Sequence, residues 1–342
     1  MKDEIIKYLQ NNPKNSSSEI FNGIETSKSF ATLKRILQKL LSENLIISEG
    51  KGKSTKYSIS PFYKVFQKVD TKEYFKEEID ERIINKHFNI SLISDILSKV
   101  NLFTKQENDK LSELQKIYSQ NINELSQLEY RKELERLAID LSWKSSQIEG
   151  NTYSLLETER LLKEKKTASG KTKEEAIMLL NHKEALDFII ETPDYFFPLT
   201  VGKIEDIHSI LIKELGVDKN VRKRRVGISG TNYSPLDNEF QIKESLSAMC
   251  KLVNRKENVF EKALLTLVLI AYIQPFVDGN KRTSRIVSNA VMINYKHCPI
   301  SFRTVESVEY KKAMLLFYEQ NNITVIKEIF LNQFEFAVTT YF

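Results

Sequence analysis

The chain has 342 residues, room for about two domains with cores of their own. Its 41% apolar and 28% charged content excludes a disordered or fibrous chain, and two distant cysteines, Cys250 and Cys298, exclude a disulfide framework and point to a reduced, cytoplasmic protein. The apolar run 263–273 is far short of the roughly 20 residues of a membrane span, the first residues have no signal pattern, and of the net charge of +5 a surplus of ten Lys/Arg over six Asp/Glu falls in residues 1–60.

In that basic stretch Ile5, Ile6 and Leu9 have helical spacing before Asn11-Asn12-Pro13 breaks it. A short helix is expected over 16–24. A third over 26–41 would bury Phe30, Leu33, Ile36, Leu37 and Leu40. Leu45-Ile46-Ile47, a basic Gly-Lys turn and Lys56-Tyr57-Ser58-Ile59 then predict a hairpin. Three helices and a hairpin resemble a winged helix-turn-helix. The resemblance implies double-stranded DNA as a partner, with Ser29, Thr32, Lys34 and Arg35 on the third helix at the major groove. Lys51, Lys53 and Lys56 of the wing would meet phosphates. The competing reading is a protein-interaction module with a solvated charged face.

Residues 61–140 read as a helical connector, with helices expected over 74–86, 90–100, 109–125 and from 130 onward, and His87 as a packing or surface residue. Residues 141–342 read as an all-helical unit. Its helices are expected over 174–190, 201–215, 242–253, 261–273, 281–295, 308–321 and 325–339, with a loop at 163–172 and a strand signal only within 219–240.

The stretch Gln274-Pro275-Phe276-Val277-Asp278-Gly279-Asn280-Lys281-Arg282-Thr283-Ser284-Arg285 carries the chemistry. Gly279 and Asn280 permit a tight, left-handed turn whose N–H groups converge at a helix start, a place for phosphates. Arg282 and Arg285 share one face of that helix, and Asp278 offers a hard oxygen to a Mg²⁺ ion carrying phosphates.

These residues resemble the Fic motif, HxFx(D/E)GN(G/K)RxxR, at every defining position but the first. The resemblance implies ATP and Mg²⁺ as cofactors and a hydroxyl side chain of a target protein as acceptor of AMP. It assigns nucleotide binding to Gly279, Asn280, Lys281, Arg282 and Arg285, the metal to Asp278, and the catalytic position to Gln274. The family's His takes the hydroxyl proton, and a carboxamide cannot. Losing a positioned base costs on the order of 10²–10⁴ in rate. Lys281 recurs in many Fic proteins and also in the Doc branch, where phosphoryl transfer occurs. Gly279, where Doc-like proteins have Ala, favours the Fic pose.

Ser145-Ser146-Gln147-Ile148-Glu149-Gly150 resembles the Fic inhibitory motif, (S/T)xxxE(G/N). The resemblance implies that Ser145, Glu149 and Gly150 end an inhibitory helix, with Glu149 paired bidentately to Arg285 in the space of the ATP γ-phosphate. Trp143 would pack that helix onto the core. Ser154 to Glu157 has capping-box spacing.

Arg225 to Pro235 resembles the Fic flap, a β-hairpin that holds the target by strand addition, with Ile228, Gly230, Thr231 and Tyr233 in contact. The basic run Lys219, Arg222, Lys223, Arg224 and Arg225 reads as a solvated face able to attract an acidic target. His182 and His208 read as structural.

The expected fold is therefore mostly α: a winged helix-turn-helix, then an all-helical Fic core with a β-hairpin flap. The expected function is that of a protein adenylyltransferase lineage, autoinhibited by Glu149 and impaired at Gln274. The alternatives are a nucleotide-sensing, DNA-binding transcriptional regulator and a Doc-like phosphotransferase. A homodimer is the oligomeric expectation, and no membrane is involved.

Overall fold

Side-chain caps set most helix starts in this computed structural model, which describes all 342 residues apart from the side chain of Lys53. The amino-terminal segment has α1 (Lys2–Asn11), α2 (Ser17–Gly23) and α3 (Phe30–Ser42). Ser16 caps α2 in a capping box with Glu19, and the Ser29 hydroxyl caps α3 by accepting the Thr32 N–H. Strands β1 (Ile46–Glu49) and β2 (Lys56–Ile59) pair antiparallel with Ile46 opposite Ile59, and the backbone of Asn15 bridges to Tyr57. Ile5, Leu9, Ile20, Leu33, Leu37 and Leu40 are buried between these elements, so the apolar spacing read from the sequence is the packed face.

The first part of the connector departs from expectation. Before residue 105 only α4 (Tyr63–Phe66) and α5 (Thr71–Tyr74) form, followed by turns, a π-turn at Leu92–Ile96 and a 3₁₀ turn at Leu97–Lys99, whereas the helices expected over 109–125 and from 130 onward do form. No helix covers 74–86, because its backbone groups are claimed from a distance. The Asn85 N–H donates to the Glu319 carbonyl at 2.8 Å, and the Lys86 carbonyl accepts from Ser234 N–H at 2.9 Å. His87 is exposed.

The remaining chain is helical: α6 (Lys105–Glu124), α7 (Gln127–Ile148), α8 (Leu155–Glu164), α9 (Lys173–Glu191), α10 (Val201–Leu211), α11 (Glu239–Arg255), α12 (Val259–Ile273), α13 (Asn280–Asn294), α14 (Ser307–Gln320) and α15 (Thr324–Tyr341). The capping box at Ser154 and Glu157 starts α8. From Phe260 to Ile273 every residue of α12 is buried, which makes it the central rod of the bundle. It packs lengthwise against α13, with α11 and α14 alongside. No helix is long and apolar enough to cross a membrane among the described residues.

The strand signal at 219–240 produces no strand. Arg222 N–H donates to the Pro275 carbonyl and the segment runs irregularly over the end of α12, touching the sheet pattern only at an isolated bridge between Ser234 and His87. The two-stranded hairpin of the molecule is β1–β2.

Candidate functional site

The turn between α12 and α13 organises the site. Gln274 ends α12 in the left-handed region (φ 51°), and Gly279 precedes α13 at φ 80°. The positive φ favours glycine, and a Cβ on Gly279 would sit a tight 3.3 Å from the His208 ring and Ile212. Asn280 ties the turn together: its Oδ1 accepts the Phe276 N–H at 2.8 Å and its Nδ2 donates to the Phe276 carbonyl at 2.9 Å. The first turn of α13 thus opens, with its positive dipole end, on a cavity of about 530 Å³. Val277 to Lys281 line one side, Ile228 and Gly230 another, and Met314, Leu315 and Tyr318 of α14 a third.

Glu149 closes one end of this cavity. It sits just past α7, where Gly150 (φ 101°) lets the chain turn away. Its Oε1 accepts from Arg285 Nη2 at 2.7 Å and its Oε2 meets Lys281 Nζ at 3.2 Å. The pairing with Arg285 is therefore as expected in partner but not bidentate; the carboxylate bridges two cations. Ser145 completes the arrangement, its Oγ accepting from Arg285 Nε at 2.8 Å and its carbonyl from Nη2 at 3.1 Å. Burial alone would raise the Glu149 carboxyl, but the charges of Arg285 and Lys281 outweigh it and hold it at about 2. Arg285 is fully buried, its guanidinium 5.2 Å over the Tyr310 ring, and its Nη1 has no partner among the described residues.

Gln274 stands at the position that the Fic motif gives to histidine. Its Nε2 donates to the Ala271 carbonyl at 2.6 Å and its Oε1 accepts from Asn280 Nδ2 at 2.9 Å. The carboxamide lines the cavity but both of its ends are already engaged, and it has no proton-accepting nitrogen. Neither histidine nearby stands in for it. His208 stacks flat on Phe276 at 3.6 Å beneath the turn, and burial lowers its imidazole to about 4 despite a weak bond to the Asp218 carbonyl. His182 is fully buried with neither ring nitrogen partnered, and burial, then Arg285 and Arg282, push it well below its usual range. It is a core residue without a hydrogen-bond partner for its ring among the described residues.

Arg282 is buried and pairs through Nη2 with Asp278 Oδ2 at 2.8 Å, while the Asp278 side chain remains 63% exposed at the cavity mouth. No group of three His, Cys, Asp or Glu side chains comes together among the described residues. A single exposed carboxylate suits a Mg²⁺ ion that arrives on phosphates and keeps its waters, not one caged by the protein.

The basic run before the flap divides in two. Lys223, Arg224 and Arg225 are exposed, but Arg222 is buried, a correction to its reading as a solvated residue. Its guanidinium donates to the carbonyls of Gln274 (2.7 Å), Arg224 (2.8 Å) and Leu236. It thereby joins residue 274 to both legs of the flap. Composition hid it among surface cations; only its position one residue after Val221, which is also buried, hinted otherwise. Within the flap Ile228 and Gly230 line the cavity. Thr231 Oγ1 accepts the Tyr233 N–H, and Tyr233 itself faces inward, stacked on Tyr272 and donating to its carbonyl. Tyr233 anchors the flap and is not on its outer surface. Trp143 donates its indole N–H to the Tyr153 carbonyl and so holds the segment just after α7.

In the amino-terminal segment the expected DNA-facing residues behave differently from one another. The hydroxyls of Ser29 and Thr32 are engaged at the α3 cap. Lys34 and Arg35 are exposed, Lys34 over the Phe30 ring at 5.0 Å. Lys51 is exposed on the hairpin, Lys56 pairs with Glu19 at 2.8 Å, and the Lys53 side chain lies outside the described residues.

Residues 198–292, from the start of α10 through the turn and most of α13, match the profile described as the Fic/DOC family. That stretch, less than a third of the chain, is thus similar to the Fic/DOC family. It is 26% identical over 170 residues to "Protein adenylyltransferase Fic" of Nematostella vectensis, covering 48% of this chain and 40% of that relative. It is 22% identical over 174 residues to "Protein adenylyltransferase fic-1" of Caenorhabditis briggsae, covering 49% of this chain and 34% of the relative. The chain thus spans less than half the length of these relatives. In fold it is similar to a fragment of Fic-1 from C. elegans, with a TM-score of 0.60 at 18% identity over 69% of this chain and 72% of that one. A Fic-domain signaling protein of Bacteroides thetaiotaomicron matches with a TM-score of 0.56 at 19% identity, over 69% and 94% of the two chains.

Proposed function

We propose that this chain binds Mg·ATP in the cavity at the head of α13, in the manner of the protein adenylyltransferase lineage, and that Glu149 restrains the site. The observation that carries this reading is the bridging of one partly buried carboxylate between Arg285 and Lys281. Two cations next to a helix N-terminus form a phosphate site, and an internal carboxylate there competes for the same donors. Asp278 would hold the metal, which would neutralise phosphate charge when bound. Arg282 keeps Asp278 oriented, and Gln274, which carries no proton acceptor of its own, leaves the site poor in chemistry. Residues 1–60 would act as a winged helix-turn-helix, 61–140 as connector and 141–342 as the Fic unit.

The test is calorimetry of ATP with the parent chain and with Glu149→Gly. Removing the competing carboxylate is expected to tighten binding about tenfold, or about 1.4 kcal/mol. Equal affinities would remove the restraining role from Glu149.

A second reading, a nucleotide-sensing DNA-binding regulator, is favoured by the exposure of Lys34, Arg35 and Lys51 on a helix-and-hairpin unit. A Doc-like transfer is disfavoured by the engagement of Lys281 with Glu149, which uses that lysine for restraint.

A further inference from the structure

We infer that Arg82, in the connector, is the residue that positions the flap, and that the segment 80–87 occupies the flap's outer edge as a built-in brace. Arg82 is buried although it lies in an otherwise polar, exposed stretch. Its Nη2 donates to the Gly230 carbonyl at 2.8 Å, at the tip of the flap. Its Nη1 meets the carboxylate of Glu319, which is fully buried near the end of α14, at 3.1–3.2 Å. The Tyr74 hydroxyl donates to the same carboxylate at 2.7 Å, and the guanidinium lies 5.1 Å over the Phe75 ring. A buried cation fixed on one side by a buried carboxylate is a rigid donor, and what it holds on the other side is a backbone carbonyl of the flap.

Two further ties lie along the same edge. Ser234 N–H donates to the Lys86 carbonyl at 2.9 Å, and Asn232 Nδ2 donates to Asp80 Oδ1 at 2.8 Å. The flap has no ladder of its own, so these bonds from the connector replace the ones a hairpin would make internally. The consequence is directional. A polypeptide adding to the flap finds the Ser234 N–H used and the Gly230 carbonyl already engaged by a buried cation, which favours the edge formed by residues 227–229, where Gly227, Ile228 and Ser229 line the cavity. Arg82 is thus a positioning residue that narrows how an extended peptide can be presented. This rests on the adenylyltransferase reading only in the identity of that peptide; the placement of the flap does not depend on it.

The experiment is amide hydrogen exchange on the full chain without nucleotide, comparing the parent with Arg82→Ala, Arg82→Lys and Asp80→Ala. Arg82→Ala is expected to speed exchange in 227–234 by about tenfold or more while α12 and α13 stay protected. Arg82→Lys, which keeps the charge toward Glu319 but lacks the fork, is expected to fall between parent and alanine. Asp80→Ala, an exposed change that leaves Arg82 in place, is expected to loosen 231–234 alone by about two- to threefold. Unchanged exchange in the flap of Arg82→Ala overturns the inference, as does a rise of equal size in α12 and α13. Should Arg82→Ala fail to fold, a flap in Arg82→Lys as protected as the parent's overturns it. ATP calorimetry on Glu149→Gly is a separate arm. Failure to bind there would sink the nucleotide reading and leave the exchange result standing.

Discussion

Arg282 and Arg285 are 2% and 0% exposed, each held against a carboxylate, whereas Lys34, Arg35 and Lys51 in the amino-terminal segment stand in solvent. Both regions were conspicuous for positive charge, yet they are different objects. In the first, a charge withdrawn strands a buried partner, so single substitutions carry large consequences. In the second, each charge is hydrated and screened, so effects are small, roughly additive and dependent on salt. The difference teaches that the sign of a charge cluster says little about its role until burial and partners are known.

The comparison can be broken or sharpened from the largest effect down. In the buried region, Gln274→His in a Glu149→Gly background is expected to raise transfer of α-labelled AMP, or self-labelling, by roughly 10²-fold or more over Glu149→Gly alone, because an imidazole supplies the missing base. Gln274→Ala is expected to leave transfer nearly unchanged. Robust labelling by the parent, with no gain from His, would mean that another group is the base.

The next effect is on stability against pH. The imidazole of His208 is lowered from 6.5 to about 4, so the unfolded chain binds a proton there before the folded one does. Stability is then full above pH 6.5 and declines as pH falls toward 4, by about 3 kcal/mol from this group. His182 acts in the same direction. Residues 1–60 contain no histidine, so this slope belongs to the helical bundle. Urea midpoints measured from pH 7 to 4.5 on the parent and on His208→Gln check it; an identical slope in the two proteins would contradict it.

Arg222→Met removes three bonds to backbone carbonyls while keeping much of the side-chain volume. Leaving those carbonyls unpaired is expected to cost about 2 kcal/mol in urea unfolding. The exposed neighbour Arg224→Met should cost a few tenths at most. Equal losses would erase the distinction between the two halves of that basic run.

The smallest effects lie in the amino-terminal segment. If the full chain binds duplex DNA, affinity should fall steeply with salt, and replacing Lys51, Lys53 and Lys56 by Ala should reduce the salt slope by about one unit per lost phosphate contact. Because Lys56 is paired to Glu19, its share should be below that of Lys51, as filter binding over a salt series would show.

Much of the fold was legible because local rules decide it. The capping box at Ser154 and Glu157, the apolar spacing in α3 and the turn at Gly279 are read from residues three or four apart. The helix expected at 74–86 failed for the opposite reason. Its carbonyls and N–H groups bond to Gln320, Glu319 and Ser234, more than a hundred residues away, and no local pattern records that competition. The strand signal at 219–240 failed likewise, since Arg222 and Arg82 supply the bonds that a ladder would have made.

What the sequence by itself determined was the set of groups at the site: the Gly-Asn turn, the two arginines, the acid at 278, the glutamate before Gly150 and the carboxamide at 274. Motif spacing carries these because a tight turn and the first helical turn after it place side chains by backbone geometry alone. Only the tertiary structure decided that Glu149 bridges Lys281 as well as Arg285, that Arg222 and Arg82 are buried clamps, and that Tyr233 faces inward. Those facts depend on which distant elements exclude water from a given charge or ring. That exclusion is a property of packing, which no residue's neighbours in sequence can fix.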